Sequence, residues 1–219
     1  MSTKKNEILF MQIKTASLSN NTIKNNDIEN IQNKLKIAFY FDRTSGTMPK
    51  PTNQYFSDIV EELKKNNISQ VISLDLQNWE YTKFSEYLAD SNIEHIHDTM
   101  YEIPDFYSLQ ELQPNKIDTI VNATLPHRNV MFHCLGGNGR SSVMCLCRFM
   151  KIKKMEGADL NRFDTTSMVK GILNKHPIKC NPLTNSLVSY MREKNPYAFE
   201  RNIDIQAVEQ YRIFLNSIN

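Results

Sequence analysis

Apolar positions along this chain follow two alternating spacings. Short runs rich in β-branched and aromatic residues predict strands at KIAFYF (36–41), QVISLDL (70–76), IEHIH (93–97) and NVMFH (129–133). Between them apolar residues return every three or four positions. That spacing predicts helices over QYFSDIVEELKKNN (54–67), YTKFSEYLADS (81–91), KIDTIVNATL (116–125) and RSSVMCLCRFMKI (140–152). Strands alternating with helices argue for an α/β fold with a central, mostly parallel, twisted sheet flanked by helices. The last third reads as helical, in the segments 163–175, 181–193 and 204–218. Residues 1 to 33 are polar, with weak periodicity and one apolar patch at Ile8 to Met11. They are expected to form a loose arm or a short surface helix, with 34–219 as a single domain. No internal repeat is visible.

Composition narrows the class. The 219 residues include 40% hydrophobic and 23% charged positions, enough to bury a sizeable core, and the formal net charge is +2. Such a balance offers no electrostatic case for nucleic-acid binding. No apolar run approaches the length of a membrane span, and the Ile8–Met11 patch is too short for a signal-peptide core. Four cysteines, Cys134, Cys145, Cys147 and Cys180, are too few and too clustered for a disulfide scaffold. A reducing, cytoplasmic compartment is therefore expected; delivery into a host cytosol is left open.

One stretch breaks the pattern. The chain holds six glycines, and three of them fall within HCLGGNGRSS (133–142). A strand, a tight glycine-rich loop and a helix together make an anion site: loop N–H groups point inward and the helix N-terminus adds partial positive charge. Glycine permits close approach and left-handed angles, and Asn138 is the next most tolerant residue. Leu135, Gly136, Gly137, Asn138, Gly139 and Arg140 are thus expected to line a phosphate-sized cradle. Cys134, at its floor, would be held as a thiolate, the nucleophilic form. Arg140 would grip two oxygens with its planar fork. Ser141 would donate to the cysteine sulfur, and His133 would orient the loop through its ring.

Cys-x5-Arg-Ser preceded by His resembles the protein tyrosine phosphatase superfamily, most of all its dual-specificity and related small members. The resemblance implies that family's α/β fold, a helical C-terminal part, a phosphocysteine intermediate and no cofactor or metal. It also implies a general acid, an aspartate on a loop upstream of the cysteine. In YEIPDFYSLQ, Asp105 follows Ile103 and Pro104, 29 residues before Cys134. It is the candidate acid, with Asp98 its rival. The order of parts sets the chain apart from low-molecular-weight tyrosine phosphatases, whose cysteine loop lies near the N-terminus. In IQAVEQYRIF (205–214), Gln206 and Gln210 resemble the paired glutamines of classical members. By that match Gln206 would position the hydrolytic water and Gln210 would assist. Ala207 and Ser142 depart from the family pattern, where Thr and Gly are usual.

The other tempting residues read as packing. Cys145 and Cys147 point to different faces of a helix and are expected in the core, not on zinc. Trp79, Tyr81 and Phe84 are expected to pack. Tyr40, Arg43 and Tyr55 are candidates for phosphotyrosine recognition without a clear motif. No basic residue lies inside the loop, which favours a phosphorylated protein, phosphotyrosine first, as substrate. An inositol phosphate or phosphoinositide phosphatase, or a catalytically silent phosphate-binding module, are the alternatives.

Overall fold

The computed structural model describes residues 8–14, 32–40, 53–74, 78–97, 113–127, 129–134, 138–161 and 165–218. They fall into two compact units, Met1–Thr99 with Pro126–Gly136, and Met100–Leu125 with Gly137–Asn219.

The first unit holds a five-stranded sheet. Its strands are β1 (Ile8–Lys14), β2 (Gln32–Tyr40), β3 (Gln70–Ser73), β4 (Glu94–His97) and β5 (Val130–His133), in the order β1-β2-β5-β3-β4. β2, β5, β3 and β4 run parallel, with Ile37 opposite Val130, Met131 opposite Val71, and Val71 opposite His95. β1 pairs antiparallel with β2 at one edge. Residues 8–14, expected within a loose arm or short helix, are therefore a strand. Their apolar Ile8–Met11 patch continues as ILFMQIK, and pairing with β2 satisfies the backbone of that run. All four residues of β3 are buried, as suits a strand covered on both faces.

Helices α1 (Asn53–Lys65) and α2 (Asn78–Ala89) pack on this sheet. Phe56, Ile59, Val60 and Leu63 of α1 meet Phe84 and Leu88 of α2, over Val71 and Met131. The rings of Phe56 and Phe84 stack at 5.4 Å between centroids. Both helices end by one device. Asn67 and Asn92 take left-handed angles, φ 55° and 53°. The next residues, Ile68 and Ile93, donate backbone hydrogen bonds back to Leu63 and Leu88 and drop their side chains into the core. Each helix thus turns directly into the following strand.

The second unit is mainly helical. It contains α3 (Pro114–Thr124), α4 (Arg140–Met155), α5 (Pro182–Lys194) and α6 (Asn202–Ser217). Pro114 starts α3 at a position where a missing N–H is harmless, and Asn181 caps α5 by accepting from Leu183 N at 2.9 Å. Arg148 of α4 is buried and donates to Thr124 Oγ1 (2.9 Å) and Thr124 O (3.2 Å), so it satisfies the C-terminal end of α3. On α3, Asp118 accepts from Tyr211 Oη (2.6 Å), Lys151 Nζ (2.9 Å) and Asn122 Nδ2 (2.9 Å).

Within the segment 163–175, the described residues 165–175 are not the helix the periodicity predicts. β6 (Ser167–Val169) and β7 (Ile178–Cys180) form an antiparallel pair, with Ser167 opposite Cys180. Gly171 and Pro177 lie between them, where both break a helix. Gly171 is also packed against the start of α6. A Cβ there would run into the backbone of Arg201 and Asn202, and its N–H donates to Asn202 Oδ1 at 2.6 Å.

Candidate active site

Cys134 directly follows β5, at the carboxyl end of a strand whose two neighbours run parallel to it, the usual place for a ligand site in such sheets. It is 4% exposed. The backbone just before it is pinned, because Leu74 N donates to His133 O at 2.9 Å. The His133 ring is pinned too. Its Nε2 lies 2.5 Å from Ser73 Oγ, and the same hydroxyl lies 2.6 Å from His95 Nε2. A hydroxyl has one proton, so Ser73 donates to one imidazole and accepts from the other. The two rings therefore carry opposite roles at these nitrogens. Phe84 stands edge-on to both, at 5.5 Å from His95 and 6.0 Å from His133. Burial, then the neighbouring His133 and His97, bring the His95 pKa down to about 3, so its ring is neutral at physiological pH.

In the second unit, Asn138 to Ser141 lead into α4. Asn138 is buried, and its contacts are structural. Its Nδ2 donates to Glu200 Oε1 (2.8 Å), its carbonyl accepts from Phe199 N (2.8 Å), and its Oδ1 faces Asn195 Nδ2 at 3.4 Å. Phe199 turns through φ 59° to make that bond. The tolerance for left-handed angles expected of the loop glycines is not what Gly139 is used for, since its φ is −93°. Gly139 is instead a close approach, since a Cβ there would sit 3.2 Å and 3.3 Å from the two carboxyl oxygens of Asp204. Arg140 opens α4 half-buried, and Ser141 is fully buried beneath it. Ser142 is also fully buried.

Gln206 and Gln210 are half-buried, one turn apart on α6. The α6 residue seated against Gly139 is Asp204, which sequence reasoning passed over. An acid in the first turn of a helix is an ordinary start signal, and nothing local marks this one as different. Ser73 and His95 were missed as well, because their pairing joins residues 22 and 60 positions apart. Cys145 and Cys147 are fully buried, as expected of core residues. Burial, and then Asp118, push the Cys147 thiol well above its usual range. Asp105, Asp98, Leu135, Gly136, Gly137 and Arg43 lie outside the described residues, as do the side chains of Tyr40, Tyr55, Trp79 and Tyr81.

The fold is that of the protein tyrosine phosphatase superfamily. The chain is similar to a kinase associated phosphatase (KAP) structure carrying serine at the catalytic-site cysteine, with 12% identity, 100% of each chain covered and a TM-score of 0.56. It is also similar to PTPMT1, with 10% identity, 84% of this chain and 94% of that chain covered, and a TM-score of 0.50. No family model matches the chain. No curated protein matches it.

Proposed function

We propose that the chain is a cysteine-dependent phosphatase that hydrolyses phosphotyrosine, and also phosphoserine and phosphothreonine, in proteins. The observation that carries this reading is the placement of Cys134 immediately after β5, with Arg140 as the first residue of α4, in a fold shared with KAP. Cys134 Sγ attacks phosphorus, and an S–P bond forms as the P–O bond to the substrate breaks. Asp105 protonates the departing oxygen. Water held by Gln206 then attacks phosphorus, Asp105 takes its proton, and the S–P bond breaks as Ser141 hydrogen-bonds the leaving sulfur. Arg140 and the N–H groups of residues 135–140 hold the equatorial oxygens throughout and stabilise their charge. No metal takes part. The buried Asn138 side chain supports this reading, because it ties the segment just before α4 to the 195–200 turn.

The loop's lack of basic residues supports a singly phosphorylated protein as substrate over an inositol carrying several phosphates. The test is phosphate release, in EDTA, from matched phosphotyrosine and phosphothreonine peptides and an inositol phosphate, with Cys134→Ser alongside. Release from the phosphotyrosine peptide, abolished in Cys134→Ser and blocked by vanadate, is the expected outcome. Release from the inositol phosphate alone would keep the chemistry and discard the protein substrate. No release from any would leave a phosphate-binding module.

A further inference from the structure

Asp204 is fully buried in the first turn of α6. One carboxyl oxygen, Oδ2, accepts from Arg201 N at 3.0 Å and so caps the helix. The other, Oδ1, has no hydrogen-bond partner and lies 3.2 Å from where a Gly139 Cβ would be. A cap needs only one oxygen and needs no burial. Here the second oxygen is driven, unpaired, against the residue that opens the anion-binding end of α4. An ionised carboxylate in that place opposes an anion in two ways. It repels the oxyanion directly, and it draws on the positive charge of Arg140 and of the α4 N-terminus that would otherwise face the ligand.

We infer that Asp204 is a proton-operated positioning residue for the cradle: ionised it weakens oxyanion binding, and protonated it releases Gly139 and Arg140 to hold the anion. This rests on the cradle reading given above. The groups that face Asp204 are Arg201 and Glu200, from the turn before α6, and Arg140, from α4. Burial is the largest influence and raises its pKa; the Arg201 N–H and guanidinium oppose it, Glu200 adds to it, and Arg140 opposes it last. The balance stands at about 6, close enough to cellular pH for a modest acidification to change the carboxyl's charge. Glu200 is itself held by Asn138 Nδ2 at 2.8 Å, so the neighbouring residues Asn138 and Gly139 each lie against one of the two acids.

The test is calorimetric titration with sulfate, whose charge is constant across the range, at fixed ionic strength. The 219-residue chain bearing Cys134→Ser is used, so that position 134 carries no ionisable group. From about pH 7.5 to about pH 5, sulfate affinity is expected to rise about five- to tenfold. In Cys134→Ser with Asp204→Asn, affinity is expected to be high and nearly flat across that range. Asp204→Glu, which keeps the charge on a longer arm, should restore a pH dependence. A flat profile with Asp204 present overturns the inference and leaves the cradle standing. So does a slope that survives Asp204→Asn, which would belong to one of the histidines. Sulfate binding that is absent at every pH, and unaffected by Arg140→Ala, would overturn the cradle reading and this inference with it.

Discussion

At the scale of single residues, Ser73 is the side chain on which the orientation of His133 depends. It sits at the carboxyl end of β3, and its one hydroxyl bridges two imidazoles at 2.5 Å and 2.6 Å. Because the hydroxyl has one proton, the bridge makes the roles of the two rings complementary, and it reaches the residue next to Cys134. Ser73→Ala removes the bridge and leaves both ring nitrogens to find other partners. Phosphate release should then fall on the order of tenfold or more in kcat, the cost of a small misplacement at a reacting centre. Ser73→Thr keeps a hydroxyl on a strand that favours it and should recover most of the loss. Steady-state kinetics on the three proteins decide it. Full kcat in Ser73→Ala would mean that His133 is positioned by its backbone alone, through Leu74 N.

At the scale of elements, α4 is held at its N-terminus and at its middle by different chemistry. Its N-terminus is tied through Asn138 to the 195–200 turn, and its middle reaches α3 through Arg148. Burial brings the Arg148 pKa down to about 10, which is still well above physiological pH, so a buried charge satisfies Thr124 Oγ1 and the Thr124 carbonyl. Arg148→Ala leaves both acceptors unsatisfied as well as a cavity, and roughly 2–4 kcal/mol of stability should be lost. Urea unfolding measures it; a loss under about 0.5 kcal/mol would show that the guanidinium's desolvation cancels its bonds. Elements were also where the sequence was most informative. The alternation of strand and helix down to Ile152 was legible because each apolar run matches the face it buries, and the Asn-Ile pairs at 67–68 and 92–93 mark two helix ends. The 163–175 segment misled because its apolar spacing fits a helix while Gly171 within it and Pro177 just after it do not, and the deciding contacts come from Arg201 and Asn202, thirty positions away. The candidate residues divide in the same way. Cys134, Arg140 and Ser141 fall in one short stretch and could be read from one motif, whereas the contact of Ser73 with His95 and His133, and that of Asp204 with Gly139, come only with the fold.

At the scale of the whole molecule, each unit carries a buried titratable group shifted in an opposite sense for stability. His95, in the first unit, falls from 6.5 to about 3, so the folded form binds its proton less readily than the unfolded chain does. Its contribution is complete above the unfolded value of 6.5 and is lost as pH falls toward 3. Asp204, in the second unit, rises from 3.8 to about 6, so the folded form binds its proton more readily. Its contribution is complete below 3.8 and is lost as pH rises through 6. Between these limits the two work against each other, and acidification gains from Asp204 part of what it loses at His95. Asp204→Asn removes one side of that balance and keeps an oxygen to accept from Arg201 N. The variant should melt about 3 °C or more above wild type near pH 7.5, and that advantage should close near pH 4. Below pH 6.5 its melting temperature should fall more steeply with acid than that of wild type. Calorimetric scans of both proteins across this range test the assignment. A constant offset at all pH values would mean that Asp204 is ionised, or neutral, throughout, and the balance between the two groups would not exist.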